Sequence, residues 1–266
     1  MHRSPVLRHL ASGLHLFAAW AASWWRVFHF GAVALVMAAS PSAYDRETRS
    51  VMARQMYYTA LQVLPGFILV ATLACYVVIH SVVAAARVYG FSNYAQELSM
   101  RMLVLELIPL FVALFVALRS GSAIGTEVAL MHITGELDAL QARGADPMRH
   151  ALVPRVIGST VSVVALTAVG GAIALALSYI GVYGFSPWGL EDFTRSAGQI
   201  FEPSATFGLV LKTLMFGLTV AVIPITASLD MERRMGLAAI GVMNGMVRLF
   251  LALALIEGAS LSVKYL

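Results

Sequence analysis

Charge is scarce in this chain. Only 12% of its 266 residues are Asp, Glu, Lys or Arg, roughly half of what a soluble domain carries. Lysine is rarer still: Lys212 and Lys264 are the only two, preceded by Leu211 and Val263. A P-loop needs Gly-Lys-Ser/Thr, so ATP hydrolysis at such a site is excluded. A single cysteine, Cys75, excludes an intramolecular disulfide and a cysteine metal cluster. No His-Glu-x-x-His occurs, nor a Gly-x-Ser-Gly with a histidine at matching depth, which argues against an intramembrane protease. Ser122 has no base beside it, and His80, near the outer end of a span, reads as a hydrogen-bonded structural group. No catalytic residue and no metal ligand is expected. The net charge of +4 is spread along the chain and implies no nucleic-acid partner.

What is present is apolar: 59% of the residues are hydrophobic. This composition predicts an all-α integral membrane protein. Crossing a bilayer takes about 20 apolar residues, and five segments qualify, over residues 60–86, 102–124, 151–183, 206–228 and 237–262. Before them, "WWRVFHF" sets Trp24, Trp25, Phe28 and Phe30 beside Arg26 and His29. That mixture suits a helix lying in the headgroup layer. The alternative is a cleaved signal peptide, which the basic start and the small residues that follow also allow. The chain thus divides into an N-terminal interfacial segment, 1–56, and a membrane domain, 57–266.

Orientation follows from Lys and Arg. Twelve arginines fall on the side of the N-terminus, including Arg119, Arg143, Arg149 and Arg155 between spans 2 and 3. The other side receives five cations: Arg87, Arg101, Arg195, Lys212 and Lys264. The bias places the N-terminus in the cytoplasm and the C-terminus outside. On the outer face, "SPWGLEDFTRSAGQIFEP" predicts a short amphipathic helix starting at Ser186-Pro187, with Glu191 and Asp192 in its early turns.

Between spans 2 and 3 the chain makes a charged elbow. Thr134 is placed to cap a short helix carrying Glu136 and Asp138 near its positive end. Arg143 stands at the other end, and Gly144 is a natural C′ residue. Asp146-Pro147 reads as the N-cap and N1 of the next helix. Leu130, Ile133, Leu137 and Leu140 share one face. Such a helix either lies on its own bundle or docks a cytoplasmic partner.

Three ionisable residues lie deep in the spans: Glu106, Arg248 and Glu257. Leaving one in lipid costs several kcal/mol, so each needs a partner or a cavity. Glu257 lies nine residues beyond Arg248, nearly half a turn off its face. Glu106 is therefore the expected partner of Arg248. Small-residue runs, "AVGGAIALA" in span 3 and "SGSAIG" at the end of span 2, are expected to bring helices close together.

The stretch from Glu106 to Arg155 resembles the MlaE permease family, also called YrbE. Glu106 and Pro109 match its Glu–Pro pattern, and "RSGSAIGTE", Arg119 to Glu127, matches its Arg-x-Gly-Ser-Ala segment with a following Glu. Met131, Glu136, "DAL" at 138–140, Gly144, "DP" at 146–147 and "PR" at 154–155 follow in order. Weaker similarity extends over 50–265. Leu105 and Ile108 stand where the family usually has Arg and Gly.

The family consists of membrane subunits of ABC transporters that act with MCE-domain proteins. The resemblance implies a homodimer in the bacterial inner membrane that encloses a phospholipid cavity. It implies an ABC ATPase subunit that holds ATP and Mg, an MCE-domain protein on the far side, and a STAS-domain protein beside the ATPase. This chain itself would bind no cofactor. Candidate cavity residues are Glu106, Pro109, Asn244 and Arg248. Candidate coupling residues are Glu127, Glu136, Asp138, Arg143 and Asp146, with the elbow, about 126–143, as the coupling helix. An intramembrane channel or an assembly scaffold without transport is the alternative. A channel would show a polar face sustained along several spans, whereas the polar residues here are few and local.

Overall fold

A computed structural model describes residues 5–40, 44–90, 95–234 and 238–265. Among them all regular structure is helical, as the long apolar runs require. Eleven α-helices follow in order: α1 (Pro5–Ala39), α2 (Arg46–Met56), α3 (Leu64–Val88), α4 (Ala95–Met102), α5 (Ile108–Val116), α6 (Ser122–Thr134), α7 (Glu136–Ala142), α8 (Val153–Tyr183), α9 (Leu190–Ile200), α10 (Pro203–Leu229) and α11 (Ala238–Tyr265).

Several of these are pieces of longer rods that contain single π-helical turns, at Tyr57–Leu61, Leu103–Leu107 and Ala117–Gly121, and another such turn, Met148–Leu152, opens the rod of α8. Three of the turns stand just ahead of a proline in the first turn of the next helix: Pro65, Pro109 and Pro154. A proline ring crowds the carbonyl of residue i−4 and offers it no N–H. Widening the preceding turn relieves that crowding and keeps the rod continuous.

Six rods are long and apolar enough to cross a membrane: Trp20–Ala39, Thr48–Ala86, Met100–Thr134, Met148–Tyr183, Pro203–Leu229 and Ala239–Lys264. Four of the last five contain the predicted spans 60–86, 102–124, 151–183 and 206–228, and the fifth overlaps the predicted 237–262, whose first residue lies outside the described residues. The first falls where an interfacial helix was expected. Its inner stripe, Ser23, Val27, Phe30 and Ala34, is buried, while Trp25 and Phe28 are exposed, and it packs on α10 and α8.

At the centre lie α8 and α10. Their approach depends on the absence of a side chain at Gly217, where a Cβ would stand 2.8 Å from the Thr160 Cα. At Gly170 of the "AVGGAIALA" run a Cβ would stand 2.9 Å from Ile108 Cγ2. The small residues thus do the packing work assigned to them.

On the loop side, a 3₁₀ turn at Pro187–Gly189 leads into α9, with Glu191 and Asp192 in its first turn. α9 rests on α4 through Phe193, Ala197 and Ile200, which meet Met100 and Leu105. The elbow differs from the single helix expected over 126–143. α6 continues the second predicted span as far as Thr134, and Gly135 breaks the chain at φ 77°. Only then does α7 begin. Thr134 does not cap it, since its hydroxyl donates to the Leu130 carbonyl in the helix it ends. Gly144 does hold the C′ position, at φ 78°. Its N–H donates to the Gln141 carbonyl, and that of Ala145 to Leu140, the paired bonds of a Schellman turn. Asp146 caps the next rod: its Oδ1 accepts from the Met148 N–H at 2.9 Å.

Candidate functional site

Four charges from three rods meet at one depth. Glu106 lies in the π turn at 103–107, six residues into the rod Met100–Thr134. Lys212 lies nine residues into Pro203–Leu229, and Glu257 seven residues before the end of Ala239–Lys264. At 1.5 Å per residue, all three sit about 9–14 Å inside the same end of the bundle. The Lys212 ammonium is 2.6 Å from Glu106 Oε2 and 2.7 Å from Glu257 Oε2. Lys264 reaches back from the end of α11 to Glu106 Oε1, at 2.6 Å. The Lys212 side chain is only 3% exposed and the two carboxylates 12% and 13%. Charges so placed hold only when paired, and here two ammoniums meet two carboxylates, for a sum of zero.

Pro109 has a structural part in this cluster. It is buried, and it deprives the Leu105 carbonyl of its N–H partner four residues on. Lys212 donates to that carbonyl at a long 3.4 Å. Lys212 also stands 5.9 Å from the centre of the Phe216 ring, one turn along α10.

Arg248 is not part of the cluster, contrary to expectation. Its guanidinium donates to the Ser23 hydroxyl, which joins α11 to α1. Glu106 is already engaged by two lysines. Lys212 lies inside α10 and not among the outer loop cations, and it takes the place beside Glu106 that was expected of Arg248. Its apolar neighbours on both sides, "GLVLKTLMF", were the signal that placed it in a span. Asn244, one turn before Arg248, is exposed on the surface of the single chain.

The opposite end carries a set of ion pairs. The buried Arg155 of α8 donates to Glu127 of α6 through two nitrogens, at 2.6 and 3.3 Å, and to the Ala151 carbonyl. Asp138 of α7 accepts two bonds from Arg233, the Nη2–Oδ1 contact being 3.0 Å. The hydrogen bond from Arg233 holds the Asp138 carboxyl below the usual carboxylate range, and Arg233 is pushed up in turn. Arg26 of α1 lies 2.7 Å from Asp230, so the segment 230–234 is held to α1 at one end and to α7 at the other. Arg149 pairs with Asp45 at 2.9 Å. Of the expected coupling residues, Glu136 and Arg143 are exposed on α7 and just beyond it. Glu127 and Asp138 are tied within the chain, and Asp146 is spent as a cap. Among the described residues no group of three His, Cys, Asp or Glu is placed to hold a metal.

The chain is similar to known membrane proteins. The family described as Permease MlaE matches residues 52–261. A probable ABC transporter permease protein of Rickettsia conorii is 28% identical over 203 residues, covering 74% of each chain. Another, of Rickettsia prowazekii, is 30% identical over 149 residues, covering 54% of this chain and 57% of its own length. The match thus spans little more than half of that relative. The chloroplastic protein TRIGALACTOSYLDIACYLGLYCEROL 1 of Arabidopsis thaliana is 31% identical over 121 residues, 44% of this chain and 34% of its own. With most of the chain, three of its six long rods complete, and Glu106, Lys212 and Glu257 inside the match, this multi-pass membrane protein belongs to the MlaE permease family.

Proposed function

We propose that the chain is the membrane subunit of an ABC transporter that moves phospholipid between the bacterial inner membrane and an MCE-domain protein. The observation that carries this reading is the neutral Glu106–Lys212–Glu257–Lys264 cluster. It is a buried set of ammoniums at a depth that lipid headgroups must pass, built where a soluble ligand has no access. A phosphate competes for such ammoniums by the same charge-assisted hydrogen bonds that the carboxylates make. The likeness to ABC transporter permeases, and to a protein named for a galactolipid, supports the class of cargo.

The energy comes from a separate ATPase that holds ATP and Mg, since this chain lacks a Gly-Lys-Ser/Thr. In this reading α7, exposed at Glu136 and Arg143 on the end away from the cluster, is the element that meets it, and that end faces the cytoplasm. The chain works as a homodimer. Two clefts of the single chain measure about 230 and 240 Å³, below the roughly 300 Å³ at which pockets for drug-sized ligands begin. A lipid therefore needs walls from two copies, with Asn244 and Arg248 of α11 among the candidates to line them. A STAS-domain protein beside the ATPase completes the assembly.

The test is purification of the complex with its co-purifying subunits, mass spectrometry of retained lipids, and reconstitution in vesicles. Retained phospholipid and its ATP-dependent movement are expected. A complex that carries no ATPase, or that moves no lipid with ATP present, would defeat the reading.

A further inference from the structure

A polar cleft of about 240 Å³ opens at the end of the bundle away from the charge cluster. One wall is the rod of α2 and α3, with Gln55, Tyr58 and Gln62; the other is the π turn at 117–121 and the start of α6, with Arg119, Ser120 and Glu127. Both walls contain a π turn, which sets Tyr58 and Arg119 out of α-helical register, a device common at functional sites. The cleft's charges are unbalanced. Glu127 is neutralised by Arg155, and Gln55 donates to Thr59 at 2.9 Å. Arg119 has no carboxylate partner among the described residues. Ala123 and Ile124 complete the lining, and Tyr57, Leu61 and Leu118, next in sequence to Tyr58, Gln62 and Arg119, are exposed. A guanidinium with hydroxyls and amides, rimmed by apolar and phenolic side chains, matches an amphiphile whose anionic end enters the cleft and whose chains lie on the rim. Guanidinium binds phosphate through two parallel hydrogen bonds, and tyrosines gather at headgroup depth.

We propose that this cleft, anchored by Arg119, is a second lipid site, which holds the phosphodiester headgroup of a membrane phospholipid. It lies on the same rod as Glu106, thirteen residues on, or about 20 Å along the axis. The two sites thus stand near opposite membrane faces. The inference rests on the proposed transport of phospholipid and adds a point of contact on the side of α7.

A photo-reactive benzophenone side chain at Tyr58 tests it in the assembled complex, in phosphatidylcholine nanodiscs with trace radiolabelled phosphatidylglycerol. The same probe at Leu69 of α3, exposed on the single chain, is the control. Arg119→Met is expected to lower lipid labelling at Tyr58 about tenfold, the scale of one charge-assisted contact, and to leave Leu69 labelling unchanged. Arg119→Lys should retain most of it, and excess soluble glycerophosphate should not compete. Undiminished labelling in Arg119→Met overturns the proposal. So does efficient competition by glycerophosphate, which makes this a site for free phosphate, and so does a cross-link to a second copy or to the ATPase, which makes it a subunit interface. If Arg119→Met does not assemble, radiolabelled diacylglycerol decides: labelling of the unsubstituted complex at Tyr58 equal to that by phosphatidylglycerol overturns the proposal, and labelling about tenfold weaker supports it. A complex that moves phospholipid but shows no Arg119-dependent labelling defeats this inference alone. A complex that labels at Tyr58 but moves no lipid defeats the transport reading instead.

Discussion

Lys212 places one ammonium 2.6 Å from Glu106 and 2.7 Å from Glu257, and so ties three membrane rods through a single charge. Lys212→Met leaves two buried carboxylates with only Lys264 beside them. The expected cost is about 3–5 kcal/mol, the range for breaking a buried pair from one side. The double variant Lys212→Met, Glu257→Gln leaves the neutral Glu106–Lys264 pair and should recover most of the loss. Thermal unfolding of the purified protein measures both. If the double variant is no more stable than Lys212→Met, the cluster is not held by charge balance.

Arg248 answers to α1 and not to Glu106. A double-mutant cycle of Arg248→Met with Ser23→Ala should give a coupling of about 0.5–3 kcal/mol, as for groups in contact. The cycle of Arg248→Met with Glu106→Gln should be additive within about 0.5 kcal/mol. The reverse order of couplings would restore the pairing expected from sequence.

Asp138 and Arg233 join α7 to the segment before α11. Asp138→Lys should weaken stimulation of the partner ATPase by lipid substrate while insertion stays normal, and adding Arg233→Glu should restore it. Recovery of ATPase activity in the double variant is the measurement, and no rescue would mean that the contact is incidental. The pairing also has a pH signature. The Asp138 carboxyl titrates below its usual value of about 3.9 because Arg233 bonds its charged form. The link is therefore complete above that value and is lost as pH falls through the lowered one. Coupling should be flat from about pH 5 upward as far as this pair decides it. A midpoint near neutrality that Asp138→Asn abolishes would contradict the assignment.

Gly217 and Gly208 both lie in α10, and only one is crowded. A Cβ at Gly217 meets the Thr160 backbone at 2.8 Å, whereas nothing lies within 4 Å of one at Gly208. Gly217→Ala should destabilise by about 1–3 kcal/mol, the cost of overpacking. Gly208→Ala should be neutral or stabilising by up to about 1 kcal/mol, from helix propensity. Thermal unfolding of the two variants side by side tests whether α8 and α10 touch at this point.

The spans were legible because a bilayer admits few solutions: long apolar runs must be helices. The caps at Asp146 and Gly144 were legible for a similar reason, since only certain residues serve those positions. The break at Gly135 was less so. Thr134 is a good N-cap by type, but its hydroxyl had a nearer acceptor in the helix behind it. The charge cluster was half legible. Glu106 and Glu257 drew attention as deep charges, while Lys212, equally deep, passed as a loop cation. Pairing across rods depends on rotation about each axis, and the π turns at 103–107 and 117–121 shift that rotation by an amount that no 3.6-residue count contains.

α7 is bounded by left-handed glycines, Gly135 at φ 77° and Gly144 at φ 78°, a conformation that side-chain-bearing residues rarely adopt. Mechanically these are two swivels on a short lever. A push on the lever's outer face can tilt it without unwinding α6 or the rod that begins at Met148. The thrust then has a defined exit, the clasp between Asp138 and Arg233, toward the segment that leads into α11. That rod carries Glu257 at its far end, so α11 alone spans the distance from the end of the bundle that holds α7 to the end that holds the charge cluster.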